Sequence, residues 1–225
     1  MELPQTLIQR ALSIWKHLCP FRRLTLKHRA TIHLSSTGMK FYIVDKGFVR
    51  LASIQSDGTQ ITRIILGKGG VFGELPFVPS LFKIDEEALA NGPTCVLEFD
   101  LMSTEEALRN DKAAQRLLVE LLGAQLQILS RRLQWQQTNP IDKRIALVLF
   151  DLLCFGGRPC PHGPGYAVDI RVTHEELAEI IGAARPTVSA ILSKFHQEQL
   201  ISSTRNFICV RNLDRLKHRL SLLTS

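Results

Sequence analysis

The sequence predicts an α+β protein of three successive parts: a small β-barrel or sandwich, a long helix, and a C-terminal winged helix-turn-helix. Three observations carry this. Between Leu24 and Phe99, short β-rich runs alternate with glycines: "FYIVDKGFVRLASI", "SDGTQITRIIL", "GKGGVFGEL" and "TCVLEF". From Ser103 to about Gln137 good helix formers dominate, with Leu118, Leu122, Leu126, Leu129 and Leu133 returning to one face. The stretch "ELAEIIGAARPTVSAILSKF", Glu176 to Phe195, then reads as two short amphipathic helices about Gly182.

Short strands at regular spacing with turn signals between them make a small barrel or sandwich. Asp57-Gly58, set between two alternating runs, is a hairpin signal. Ser103, followed by Glu105 and Glu106, reads as a helix start, and thirty-odd residues give a helix of roughly 50 Å. Its leucine stripe needs a partner: either the chain's own β domain or the same helix of a second copy. The second is favoured, because the helix is longer than a small barrel can cover and "SRRLQWQQ" keeps the opposite face polar. Thr138, Asn139 and Pro140 then end it and begin a helix over Ile141–Phe155. The expected domains are 1–102, 103–139 and 140–225.

"GGRPCPHGPG" is a loop by composition, and "YAVDIRV" a short strand. Thr173 and Glu176 have the spacing of a capping box, which places a helix start at Thr173. Leu177, Ala178 and Ile181 form one apolar face, and Ala183, Val188, Ile191 and Leu192 the next; Ala178 is small enough for a second helix to approach. "LISSTRNFICVRN" follows as two short strands about Thr204, Arg205 and Asn206, a wing.

Composition sets the limits. At 225 residues, 45% hydrophobic and 22% charged, the chain is globular rather than disordered. A net charge of +7 favours a polyanionic partner. No apolar run is long enough to span a membrane, and "MELPQTLIQR" lacks the pattern of a signal peptide, so a cytoplasmic protein is expected. Five scattered cysteines, Cys19, Cys95, Cys154, Cys160 and Cys209, fit reduced thiols better than a disulfide framework.

With "VDKGFVRL", "GGVFGEL", the long helix, "TNPIDKRIALVLFDL" and "LAEIIGAARPTVSAIL" with its wing, most of the chain resembles the cyclic-AMP receptor protein and Fnr superfamily of bacterial transcription regulators. It is also similar, less distinctly, to the cyanobacterial nitrogen-control branch. The resemblance implies a cyclic-nucleotide-binding-like β-roll (a jelly roll), a long dimerisation helix, and a homodimer whose recognition helices enter successive major grooves of double-stranded DNA. RNA polymerase is a further partner in such systems. The expected dimer residues are Leu118, Leu122, Leu126, Leu129 and Leu133.

The recognition helix of this family usually carries "SRxTVxR". Here the stretch is Ala184, Arg185, Pro186, Thr187, Val188, Ser189, Ala190. Arg185 matches the first arginine and is the leading base reader, since a guanidinium pairs bidentately with guanine. Pro186 has neither donor nor acceptor for a base, and Ala190, in place of the second arginine, offers a thymine methyl only apolar contact. Thr187 and Ser189 are candidates for base or phosphate contact. Thr173, His174, Lys194, Arg205 and Arg211 are candidates for phosphate.

In members of the family that bind cyclic nucleotides, a "GEL" turn supplies backbone donors and a ribose-binding glutamate. An Arg-Ser pair about ten residues later holds the phosphate. Gly73, Glu74 and Leu75 supply the turn here, but Ile84 and Asp85 stand where the pair should be, with Glu86 and Glu87 next. No arginine occurs between Arg63 and Arg109; only Lys68 and Lys83 are available. Adjacent carboxylates repel an anion. Control by cyclic AMP is therefore not expected, a dicarboxylate is disfavoured by the same reasoning, and the effector is left open.

Other chemistry finds little support. Cys154, Cys160 and His162 could cluster about a loop, but without a paired CxxC they make a weak zinc signal, and no metal or cofactor is expected. His28 and His33 are the only histidines of the roll, without an H-x-H pair or an evident carboxylate partner. No GxSxG, P-loop or Rossmann fingerprint occurs, so no catalytic residue is proposed. The alternatives are an effector-binding or dimerisation module with degenerate DNA reading, or a nitrogen- or carbon-status regulator with a different effector.

Overall fold

The computed structural model describes residues 5–34, 38–54, 60–78, 86–168, 172–203 and 208–221. It divides into two compact units, Glu2–Ser130 and Arg131–Ser225.

The first unit begins with α1 (Gln5–Leu18), whose Leu7, Ile8, Ala11, Leu12 and Trp15 fall on one buried face. Among the described residues, eight strands follow: β1 (Phe21–Leu26), β2 (Thr31–His33), β3 (Lys40–Lys46), β4 (Val49–Ile54), β5 (Gln60–Leu66), β6 (Val71–Gly73), β7 (Glu86–Ala90) and β8 (Thr94–Asp100). They form two antiparallel sheets, ordered β1-β8-β3-β6 and β2-β7-β4-β5. Strand β3 shows why its sequence is apolar without alternation. Phe41 and Ile43 face a core made with α1 and the following helices, while Tyr42 and Val44 face the core between the sheets. A sheet covered on both faces is read as a continuous hydrophobic run. Gly47 (φ +72°) turns β3 into β4, and β4 pairs with β5 from Val49↔Leu66 to Ile54↔Gln60. Asp57 and Gly58, expected to make that second turn, lie outside the described residues.

The expected single helix from Ser103 is two: α2 (Leu101–Asn110) and α3 (Lys112–Thr138). Asp100, not Ser103, is the first cap; its carboxylate accepts from the Ser103 N–H at 3.1 Å. Asp111 caps the second, accepting from the N–H groups of Ala113 and Ala114 at 2.9 and 3.0 Å. A short carboxylate that satisfies two orphan donors starts a new helix as readily as it tolerates an old one.

The leucine stripe is split as well. Leu118 is buried in the chain's own helical core, so it is not available to a second copy, and Leu122 packs against the same core. Leu129 packs against the inter-sheet core, whereas Leu126 (64% exposed) and Leu133 (51%) stay open. The Gln125 side chain ties α3 to β6: its Oε1 accepts from the Val71 N–H at 2.7 Å, and its Nε2 donates to the Val71 carbonyl at 3.1 Å.

In the second unit, α4 (Ile141–Gly156) is followed by β9 (Gly157–Pro159), β10 (Tyr166–Val168), α5 (His174–Ile181), α6 (Arg185–Gln197), β11 (Ile201–Ser203), β12 (Ile208–Val210) and α7 (Leu213–Ser221). The strands make one antiparallel sheet ordered β11-β12-β10-β9. β9 falls in the stretch expected to be a loop; Pro159 is tolerated because the strand is an edge. Two cysteines depart from the expectation of free thiols: Cys160 and Cys209 form a disulfide, with Cα atoms 6.1 Å apart. Forty-nine residues separate them, and only the sheet brings them together. Cys19 and Cys95 are free, and burial pushes the Cys19 thiol above its ordinary range. The side chain of Cys154 lies outside those described.

Candidate nucleic-acid interface

The turn between α5 and α6 is built from both sides. At the start of α5, the Thr173 hydroxyl accepts from the Glu176 N–H at 3.1 Å while the Thr173 N–H donates to the Glu176 carboxylate at 2.7 Å, the expected capping box. Gly182 closes the helix in the left-handed conformation (φ +65°, ψ +52°), and the Ala183 N–H reaches back to the Ala178 carbonyl at 3.1 Å. Two arginines meet the last carbonyls of α5: Arg132 donates to Ile180, and Arg144 to Ile181 at 3.0 Å. Cations at a helix C-terminus complement its dipole. Pro186 sits in the first turn of α6, where its missing N–H costs nothing. Val188, Leu192 and Phe195 are buried beneath α6.

The opposite face of α6 is exposed, and the candidate readers lie on it. Arg185, Thr187, Ala190 and Lys194 all face solvent. The Arg185 Nε lies 3.5 Å from the Glu175 carboxylate, with the two side chains 65% and 56% exposed. No local motif singles out Glu175 in the sequence. The only signal for it was positional: the second residue of α5 comes level with the first of α6. His174 Nδ1 and Ser189 Oγ are hydrogen-bonded at 2.9 Å, which joins these two candidates across the turn. Thr173 is exposed, but its hydroxyl already serves the cap. Arg211 is exposed after β12, and Arg205, at the expected wing tip, lies outside the described residues. Behind the wing, His196 Nε2 meets Ser203 Oγ at 2.8 Å. Burial, and then the charges of Arg211 and His174, hold the His196 imidazole below its ordinary range.

The turn expected at an effector pocket has a packing explanation. Gly73 (φ +84°) is pressed against β3: a Cβ there would stand 2.6 Å from the Lys40 carbonyl and 2.8 Å from the Tyr42 ring. The Glu74 N–H donates to that same carbonyl at 2.9 Å, and Leu75 packs against the helical core. Ile84 and Asp85 lie outside the described residues. The neighbouring acids are engaged: Glu86 pairs with Arg63 at 2.7 Å and Glu87 with His33 at 2.8 Å, so His33 does have a carboxylate partner. Burial raises the Glu86 pKa, with Arg63 opposing it. Inside the roll, Tyr42 stacks on Phe72 with ring centres 5.0 Å apart.

Residues 27–111 match the family model described as the cyclic nucleotide-binding domain, and residues 143–219 match the Crp-like helix-turn-helix domain. The chain belongs to the Crp/Fnr family of transcription regulators. It is a regulator with a helix-turn-helix DNA-binding domain, not an enzyme. Helix-turn-helix regulators of this kind bind DNA and typically dimerise. Among the described residues, no helix is long and apolar enough to cross a membrane.

Within the Crp/Fnr family, the chain is 27% identical over 175 residues to a global nitrogen regulator of Synechocystis, covering 77% of this chain and 76% of that one. It is 28% identical over 190 residues to a CRP-like cAMP-activated global transcriptional regulator of Mycobacterium tuberculosis, covering 81% and 80%. Among solved structures, FixK2 of Bradyrhizobium japonicum superposes with a TM-score of 0.73 at 22% identity, covering 89% of this chain and 97% of that one.

Proposed function

We propose that this Crp/Fnr regulator acts as a homodimer whose paired α6 helices enter successive major grooves, and that Arg185 is its principal base reader. The observation that carries the reading is the composition of the open face of α6. One guanidinium stands at its N-terminal end, with Pro186 and Ala190 where the family pattern has further polar readers. The preferred site then differs from that of relatives with two reading arginines. Thr187 and Ser189 add short polar contacts, while Thr173, His174, Lys194, Arg205 and Arg211 position the duplex through its phosphates. The dimer seam uses the open leucines Leu126 and Leu133, with Leu122 and Leu129 at its margin. The division 1–102, 103–139 and 140–225 separates sensing, pairing and reading, and RNA polymerase is the partner through which activation would act.

The roll works without cyclic AMP. Its phosphate-binding arginine is missing from the sequence, and Arg63, the nearest before the gap, is held by Glu86. A second reading, a nitrogen- or carbon-status regulator with another effector, is supported by relatives named global nitrogen regulators in three cyanobacteria at 25–27% identity.

Selection of bound sequences from random DNA, with wild type and Arg185→Ala side by side, tests the reading. The variant should lose about 1–3 kcal/mol of discrimination at one position of each half-site while keeping fold and dimer. An unchanged site preference overturns the assignment. Calorimetry with cyclic AMP should show no heat of binding, and micromolar affinity would refute the reading of the roll.

A further inference from the structure

DNA reading leaves two sulfurs of the winged unit without a role. Cys160 follows β9 and is half-buried; Cys209, in the middle of β12, is only 2% exposed. Strand β10 brings them together, because Ala167 pairs with Cys209 on one side and with Arg158, two residues before Cys160, on the other. The Cys160 N–H donates to the Gly165 carbonyl at 3.0 Å, which folds the intervening loop back on itself. Gly165 (φ +110°) lies so close to β12 that a Cβ there would overlap the Val210 carbonyl. A glycine at that one position lets the loop reach the strand, and the 6.1 Å Cα separation lies within the span of a disulfide.

β12 is also the inner strand of the wing, paired with β11 through Ile201↔Val210, Ser202↔Cys209 and Ser203↔Ile208. Whatever fixes Cys209 fixes the root of that hairpin. A protein that binds bacterial chromosomal DNA works in a reducing compartment, where disulfides are rare and, when they occur, are usually transient and redox-sensing. A pair held at bonding distance there is one to be oxidised on demand.

We infer that Cys160 and Cys209 are a peroxide-oxidised dithiol whose bond fixes the root of the wing, so that thiol state sets the affinity for DNA. The last clause rests on the DNA-reading proposal above; the chemistry does not. The Cys160 sulfur attacks a hydroperoxide and breaks its O–O bond, leaving a sulfenic acid on Cys160 and releasing the alcohol, or water from hydrogen peroxide. The Cys209 thiol then displaces the sulfenic hydroxyl: the S–S bond forms, and water leaves with the Cys209 proton. Each turnover oxidises two thiols and reduces one peroxide. Half-burial suits Cys160 to meet the oxidant first, and the buried Cys209 to resolve it. Holding a recognition element in its bound form spares the cost of ordering it on binding, so the bridged state binds more tightly, by about tenfold.

The full chain, purified reduced and without oxygen, would be titrated with hydrogen peroxide and its remaining thiols alkylated. Peptide mapping without reductant should find Cys160 linked to Cys209, a link removed by dithiothreitol. Hydrogen exchange of the β12 amides should slow on oxidation, and affinity for the selected DNA should rise about tenfold in wild type but not in Cys160→Ser. Cys160→Ser changes a loop residue and should fold; Cys209→Ala, the second variant, should likewise gain no affinity on oxidation. A link to Cys154 or between protomers overturns the inference. So does a bridge that leaves both β12 exchange and DNA affinity unchanged. Loss of sequence preference in every thiol state would instead defeat the DNA-reading proposal, and the peptide map and β12 exchange would still decide the fate of the pair.

Discussion

The β-roll and the helix-turn-helix each keep a glycine at the position the family pattern demands, for different physical reasons. Gly73 is needed because a neighbour occupies the space of a side chain: the Lys40 carbonyl and the Tyr42 ring leave no room for a Cβ. Gly182 has nothing within 4 Å of that position, and is needed only for its left-handed backbone. The first glycine is held by packing and would persist after the loss of any ligand. The second sets the angle between two helices, which is the geometry DNA recognition uses. A retained motif therefore speaks for function only where packing does not already explain it.

Substitutions at the two glycines put this contrast to the test. Gly73→Ala combines positive φ with overlap against a backbone carbonyl and should cost about 3 kcal/mol of stability, read as an early unfolding transition in urea. Gly182→Ala has only the backbone conformation to oppose it, and should cost about 1–2 kcal/mol. Its larger effect should be on DNA affinity, read by titration of labelled duplex. If Gly73→Ala proves the milder of the two, the packing explanation of the roll fails.

A smaller effect is expected at the Glu175–Arg185 pair. Glu175→Gln frees the Arg185 guanidinium and removes a negative charge from the exposed face of the turn. Discrimination between sites should fall by under about 1 kcal/mol, as for other exposed pairs. Binding to random DNA should tighten, and parallel titrations with selected and random duplex separate the two changes. An outcome in which both affinities move together would mean that Glu175 only repels the backbone and does not orient Arg185.

The smallest effect concerns pH. The folded His196 imidazole binds its proton less readily than the unfolded one, because burial and the nearby Arg211 and His174 oppose the charge. Below the ordinary imidazole value of about 6.5 the unfolded chain takes up a proton first. Stability contributed above that pH is lost as the pH falls through the folded value. Thermal melts from pH 7.5 to 5 should show this slope, reduced in His196→Gln.

The sequence made some of this architecture legible and concealed the rest for identifiable reasons. Strands β3 to β5 and β8 could be read because apolar runs and glycine turns are local signals, and α5 because Thr173 and Glu176 announce its cap three residues apart. The break at Asp111 was hidden by good helix formers on both sides. β9 was hidden by a glycine- and proline-rich composition that reads as a loop. The burial of Leu118 follows from which core lies beside α3, and leucine spacing cannot tell a partner's surface from the chain's own. Cys160 with Cys209, and Glu175 with Arg185, meet through space, and neither spacing forms a recognised pattern. Among the candidate DNA contacts, Arg185, Thr187 and Lys194 were legible as exposed because the buried face of α6 was. The bond between His174 and Ser189 was not.

The arginines at the end of α5 carry a consequence for measurement. Arg132 and Arg144 are partly buried against the carbonyls of Ile180 and Ile181, whereas Arg185 and Lys194 stand in solvent. Mobile ions screen exposed charges within about 10 Å at 0.1 M and reach sheltered ones far less. Raising the ionic strength should therefore strip the protein from the duplex without loosening the turn that presents α6. The slope of log affinity against log salt can then be read as a tally of phosphates displaced from their counterions, uncontaminated by softening of the scaffold.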